Sequence, residues 1–332
     1  MASVLPKVAL IGTGGTIGST GFHSLDLIEY LGPMLSIGQL LAKVPECAGV
    51  ADVITVEYSV IGSDAIQVSD WLSLTRLIET TVRQHTDLQG VVVTHGTATL
   101  EETAYFLNLA LNVDIPVVLV GSQRPSTGLS SDVGMNLFGA VRVAASEAAR
   151  DLGVLVVMNE QIHAAREVTK RSVFRLDAFD SPDVGILGHA DLDAIHIYRR
   201  PVRKHTMDTP FRVGELQSLP RVDIVMSYAG ADAVPVDAFV EAGAKGLVVA
   251  SLAPGTVPPE QTTALLQAIE GGVTVAYTTR AGAGRTLKLE KTQAQGSITA
   301  DNLNAQKARV LLMLALGQST DREKLQRMFD EY

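Results

Sequence analysis

Apolar runs at positions 8–11, 90–93, 116–120 and 153–158 are short and nearly unbroken, the texture of strands buried on both faces of a parallel sheet. Positions 53–60 alternate like a half-buried strand. Between these runs lie stretches of helical spacing. They cover 36–44, about 69–84 with Ser69 as N-cap and Trp71, Leu72, Leu74 and Leu77 on one face, 100–111, and 133–150 behind the capping stretch Ser130-Ser131-Asp132. Strands alternating with helices predict a parallel sheet with helices on both faces.

The first run stops at Gly12-Thr13-Gly14-Gly15-Thr16. Glycines let the backbone turn sharply and let a ligand approach it, here at the carboxyl end of a strand, where open α/β sheets bind ligands. A second strand ends in Thr94-His95-Gly96-Thr97-Ala98-Thr99, a third in Gly121-Ser122-Gln123-Arg124-Pro125. Ile17 stands where a dinucleotide fingerprint needs its third glycine, and no phosphate-loop lysine motif occurs. A dehydrogenase would further need His23 or His95 as its acid, and each reads better as a loop or turn residue.

From 199 to 220 the texture changes. Arg199, Arg200, Arg203, Lys204 and His205 cluster among Pro201, Pro210 and Pro220, which reads as a linker. Apolar runs at 222–226, 246–250 and 273–277, with helical stretches at 236–241, 260–269, 304–316 and 321–329, predict a second, smaller α/β domain. The expected organisation is therefore an N-terminal domain 1–198, a linker 199–220 and a C-terminal domain 221–332.

Composition narrows this picture. With 332 residues, 46% hydrophobic and 19% charged, the chain is globular and long enough for two cores. A net charge of -9 argues against nucleic acid as a partner. The single Cys47 rules out an internal disulfide and a cysteine metal site, and nothing near it resembles a base. The first residues lack the pattern of a signal peptide, and no apolar run reaches membrane-spanning length, so the expectation is a cytoplasmic protein without a membrane partner.

The candidate chemistry lies in the turns. Threonine is a poor nucleophile until a base or cation acts on it, and a lysine with a depressed pKa supplies that action. Two turns present hydroxyls, Thr13 and Thr16 in one, Thr97 and Thr99 in the other. Lys170, in the segment 164–170 with Arg166 and Glu167, is expected at the same sheet edge. Singly, each would be a turn or surface residue.

Together these residues resemble the bacterial L-asparaginases and glutaminase-asparaginases. Thr13-Gly14-Gly15-Thr16-Ile17 resembles the first family signature. The stretch 94–103 resembles the second, and Arg166-Glu167-Val168-Thr169-Lys170 resembles the segment with the family lysine. The likeness continues through Arg124-Pro125-Ser126, Arg203-Lys204-His205-Thr206 and 304–309, across essentially the whole chain. The resemblance implies an α/β, two-domain asparaginase-like fold, with a larger N-terminal parallel-sheet domain and a smaller C-terminal α/β domain. It implies an amidohydrolase that converts a small carboxylate-bearing amide, L-asparagine or a related one, to the acid and ammonia. Thr16 would be the nucleophile, Tyr30 its hydroxyl partner, and Thr97 with Lys170 the second pair. Backbone N–H groups near Thr97 and Ala98 would stabilise the oxyanion, and Ser63 would bind the substrate carboxylate. Gly15, Asp64, Gly96 and Ala98 complete the implied substrate-binding set. No metal or organic cofactor is implied. The implied assembly is a homotetramer of intimate dimers, in which one subunit's small domain closes its neighbour's site.

Four positions depart from the family pattern. Ala98 replaces an aspartate that pairs with the substrate α-ammonium. Asp64 stands where many members have Gln, and Thr256 replaces an Asn. Glu290 is the nearest counterpart of an acid supplied by the neighbouring subunit. Either Asp64 restores the lost charge, or the substrate is an amide or cyclic imide without a free α-amino group, or Ala98 is an introduced substitution. A non-catalytic binder of small amides is a further reading, and retention of Thr16, Thr97 and Lys170 argues against it.

Overall fold

The computed structural model describes residues 4–290 and 295–332, in two compact units, Met1–Gly214 and Glu215–Tyr332. In the first unit β1 (Lys7–Gly12), β2 (Asp52–Glu57), β3 (Leu88–Thr94), β4 (Val117–Val120) and β5 (Val154–Met158) run parallel. After β5 the direction reverses. Asn159 and Glu160 both take positive φ, 51° and 62°, which makes a two-residue hairpin turn. It returns the chain as β6 (Gln161–Ala164), with Met158 opposite Gln161. A separate small hairpin follows, β7 (Thr169–Lys170) against β8 (Phe179–Asp180). β9 (Gly188–Ala190) and β10 (Ile195–Ile197) then add two further antiparallel strands at the edge. The sheet order is β10-β9-β6-β5-β4-β3-β1-β2. The expected all-parallel sheet is therefore mixed, because a turn rather than a crossover helix leaves β5.

Helices α1 (Ile37–Ala42), α2 (Val68–Gln84), α3 (Leu100–Ala110) and α4 (Val133–Ala144) occupy the predicted stretches. α2 begins before Ser69, because the Asp70 carboxylate accepts the Gln67 N–H at 2.8 Å and closes the first turn two residues earlier. α4 stops at Ala144, and a separate 3-10 turn, Glu147–Ala149, takes up most of the rest of the expected helix. Val8, Leu10, Val92, Val118 and Leu155 from the strands pack with Leu137 and Val141 of α4 in one continuous core. Gly12 pairs with Thr94, and Thr94 with Val120, so β1, β3 and β4 end flush. That register sets three strand-end turns side by side.

The second unit has a four-stranded parallel sheet, β11 (Val222–Met226), β12 (Gly246–Ser251), β13 (Thr274–Thr279) and β14 (Ile298–Thr299) in that order. Its described helices include α5 (Val234–Glu241), α6 (Pro259–Glu270), α7 (Ala305–Leu316) and α8 (Arg322–Glu331). The stretch read as a linker divides at Gly214. Its first part belongs to the first unit, where Phe211 and Val213 are buried and the Thr209 hydroxyl donates to the Leu109 carbonyl at 2.5 Å. Among the described residues no helix is long and apolar enough to cross a membrane.

Candidate active site

The turn after β1 is shaped by backbone contact. Gly14 and Gly15 take φ of 96° and 86°, left-handed values that favour glycine. A Cβ on Gly15 would lie 2.3 Å from the Gly96 Cα. One on Gly96 would lie 2.6 Å from Ser63 Oγ and 3.2 Å from the Gly15 Cα. Three turns thus meet, the one after β1 touching the one after β3 backbone to backbone and the one after β2 reaching Gly96 through Ser63.

Thr16 opens a single 3-10 turn and is partly buried. Its Oγ1 lies 2.7 Å from Tyr30 Oη, either atom able to donate. The loop that brings Tyr30 back is tied at several points. The Thr20 hydroxyl donates to the Pro33 carbonyl at 2.7 Å, the Gly21 N–H to Thr127 Oγ1 at 2.7 Å, and the Leu35 N–H to the Gly18 carbonyl at 2.8 Å.

Thr97, 7% exposed in the turn after β3, accepts from Lys170 Nζ at 2.7 Å. Lys170 reaches it from β7, held in the small hairpin opposite Phe179. Burial lowers the Lys170 pKa from 10.5, and the lysine makes no ion pair among the described residues. That shift favours the neutral amine, the form that can take a proton from a hydroxyl.

Ser63 lies at the junction of the turns. Its Oγ accepts the Ala98 N–H at 3.3 Å, and its carbonyl accepts the Thr99 hydroxyl at 2.7 Å. One expected oxyanion donor, the Ala98 N–H, is therefore engaged by Ser63. Two hydroxyls of the expected set also have structural partners. Thr99 holds Ser63, and Thr13 donates to the Thr94 carbonyl at 2.6 Å. Asp64 is exposed, makes no hydrogen bond through its carboxylate among the described residues, and lays Oδ1 over Gly62, 2.5 Å from where a Cβ there would sit. The Ala98 methyl is exposed and brings no charge.

Thr256 and Glu290 belong to the second unit. Thr256 is exposed in a turn closed by its pairing with Leu252. Glu290 is exposed and borders 291–294, which lie outside the described residues.

His95 lies in the turn directly after β3, as its sequence context predicts. The structure buries it completely and pushes its pKa down to about 4, chiefly by desolvation. Its place directly after an unbroken apolar strand was the signal for burial. Among the described residues, Asp191 and Asp193 of the β9–β10 turn and His196 of β10 could gather around a metal ion, but they share no residue with the strand-end site.

The family described as Asparaginase, N-terminal, matches residues 7–203, and the Glutaminase/Asparaginase C-terminal domain matches 221–329. The chain is 40% identical over 328 residues to "L-asparaginase 2" of Bacillus subtilis, covering 99% of this chain and 87% of that protein. It is 38% identical to "Glutaminase-asparaginase" of Pseudomonas fluorescens, covering 99% and 91%. The crystal structure of a probable cytoplasmic L-asparaginase from Campylobacter jejuni superposes with a TM-score of 0.96 at 38% identity, covering 98% of this chain and all of that one.

Proposed function

The chain belongs to the asparaginase family over almost its whole length, and from that premise we propose that it is a threonine amidohydrolase acting on small, carboxylate-bearing linear amides such as L-asparagine. The observation that carries this reading is the pair of pairs, Thr16 with Tyr30 and Thr97 with Lys170, each 2.7 Å apart, on two turns whose backbones touch.

In this reading Thr16 Oγ1 attacks the amide carbon while its proton passes to Tyr30 Oη and Tyr30 releases its own phenolic proton toward the amide nitrogen. The C–N bond then breaks, the departing nitrogen gains that proton, and ammonia leaves an ester on Thr16. Water, activated through Lys170 and Thr97, cleaves the ester and frees the acid and the threonine. Ser63 receives the substrate carboxylate. Gly15 and Gly96 let the two turns and Ser63 pack closely enough to bring Thr16 and Thr97 to one substrate-binding site. The proposed assembly is a homotetramer. The proposed compartment is the cytoplasm, as the Campylobacter jejuni protein's name states for that protein.

A second reading of the substrate rests on two observations. Among the described residues Lys170 has no carboxylate beside it, and Asp64 folds over its own turn, where the adjacent Ser63 meets Ala98. A site without a placed acid favours an amide without a free α-amino group. A charged partner lost from a desolvated site typically costs a few kcal/mol of binding. Ammonia release from L-asparagine and from succinamate, the amine-free comparison, separates the readings. Release mainly from asparagine supports recognition of the ammonium by Asp64. Release mainly from succinamate supports the amine-free substrate, and Ala98→Asp then moves the preference back toward asparagine. Release from neither amide contradicts both.

A further inference from the structure

His95, Thr103 and Trp71 form a buried chain behind the Thr97 turn. They are 0%, 0% and 4% exposed. Trp71 Nε1 lies 2.8 Å from Thr103 Oγ1, which lies 2.9 Å from His95 Nε2, and His95 Nδ1 lies 2.7 Å from the Gly96 carbonyl oxygen. None of these side chains has a role in the reaction described above.

Proton bookkeeping fixes every direction in the chain. A carbonyl only accepts, so Nδ1 must carry the proton it gives to Gly96. A neutral imidazole then has a bare Nε2, which only accepts. The Thr103 hydroxyl must therefore donate to it. An indole N–H only donates, so Trp71 satisfies the acceptor side of the same hydroxyl. The order is Trp71 to Thr103 to His95 to Gly96, with no group used twice. Stacking of Trp71 on Phe106, 5.2 Å between centroids, fixes the far end to α3.

We propose that this chain is a positioning device for Thr97. It holds the Gly96 carbonyl inward, toward His95. In a planar trans peptide the next N–H points the opposite way, so the Thr97 N–H is turned to the side away from His95. With the Ala98 N–H engaged by Ser63, Thr97 N–H is the backbone donor that the device keeps ready for the developing oxyanion. The same peptide plane sets where Thr97 Oγ1 meets Lys170. The inference rests on the amidohydrolase reading.

The test compares Thr103→Val, which removes the donor and the acceptor at nearly constant shape, with Thr103→Ser, which restores them. Activity is read as ammonia release from whichever amide the unsubstituted enzyme uses. Thr103→Val is expected to lower kcat on the order of a hundredfold with KM within about twofold, since small misplacements at a reacting centre cost this much. Thr103→Ser is expected to stay near the unsubstituted kcat. Equal kcat in Thr103→Val and the unsubstituted enzyme overturns the proposal, as does equal loss in both variants. Nitrogen-15 NMR of the unsubstituted full-length protein gives a reading that needs no substrate. The His95 proton is expected on Nδ1, and a proton on Nε2 overturns the chain even if Thr103→Val does not fold. A protein that hydrolyses no amide but shows the Nδ1 tautomer contradicts the functional reading and leaves the hydrogen-bond order standing.

Discussion

Lys170 sits half-buried against Thr97, with no acid among the described residues to hold its proton. Because desolvation disfavours its charged form, the neutral base becomes available as pH rises through a value below 10.5. The kcat profile should therefore rise with pH through an apparent pKa under that figure, and a limb at or above it contradicts this role. Lys170→Met should lower kcat by about 10²–10⁴, the usual contribution of a positioned base. It should leave the thermal unfolding midpoint undiminished, because it removes a buried amine as well as one hydrogen bond. His95 gives a second prediction at this scale. Its folded pKa of about 4 lies below the ordinary 6.5, so between these values the unfolded chain binds a proton that the folded chain refuses. Stability should fall as pH drops through that window, by about 3 kcal/mol from this group. Urea titrations at pH 7 and pH 4.5 on the unsubstituted chain and His95→Gln measure it, and equal pH dependence in both contradicts it. Residue identities were legible in the motifs. The partners of Thr13, Thr99 and Ser63 were not, because hydrogen bonds across strand-end turns depend on register that no local pattern encodes.

At the scale of elements, the site is a consequence of flush strand ends. Gly12, Thr94 and Val120 align, so the turns beyond them converge, and two glycines let them touch. Gly15→Ala should destabilise by about 3 kcal/mol or more and abolish turnover. It meets both an unfavourable positive φ and a backbone 2.3 Å away. Chemical denaturation and ammonia release read the two effects together, and an active, stable variant would contradict the packing account. The parallel strands and their helices were readable because buried strands are continuously apolar and helices keep their period. The antiparallel strands β6, β9 and β10 were not. They are only three or four residues long, and the turn that reverses the sheet is Asn159-Glu160, which carries no glycine to announce it.

At the scale of the molecule, the chain resolves into two units, with the boundary at Gly214 where sequence texture placed a linker from 199 to 220. Clustered Arg, Lys and Pro look like a linker in sequence. Phe211 and Val213 are isolated apolar residues there, and only the fold shows that they are buried. The proposed tetramer predicts four chain masses by sedimentation equilibrium, and a monomer at micromolar concentration contradicts it. In the proposed reaction the two threonines divide the labour, Thr16 carrying the acyl group and Thr97 working with Lys170. The most direct test of that division is acid quench during turnover, followed by peptide mass mapping for an acyl ester. The adduct is expected on the peptide containing Thr16 and is expected to disappear in Thr16→Ala. An adduct on Thr97, or undiminished turnover in Thr16→Ala, would contradict it.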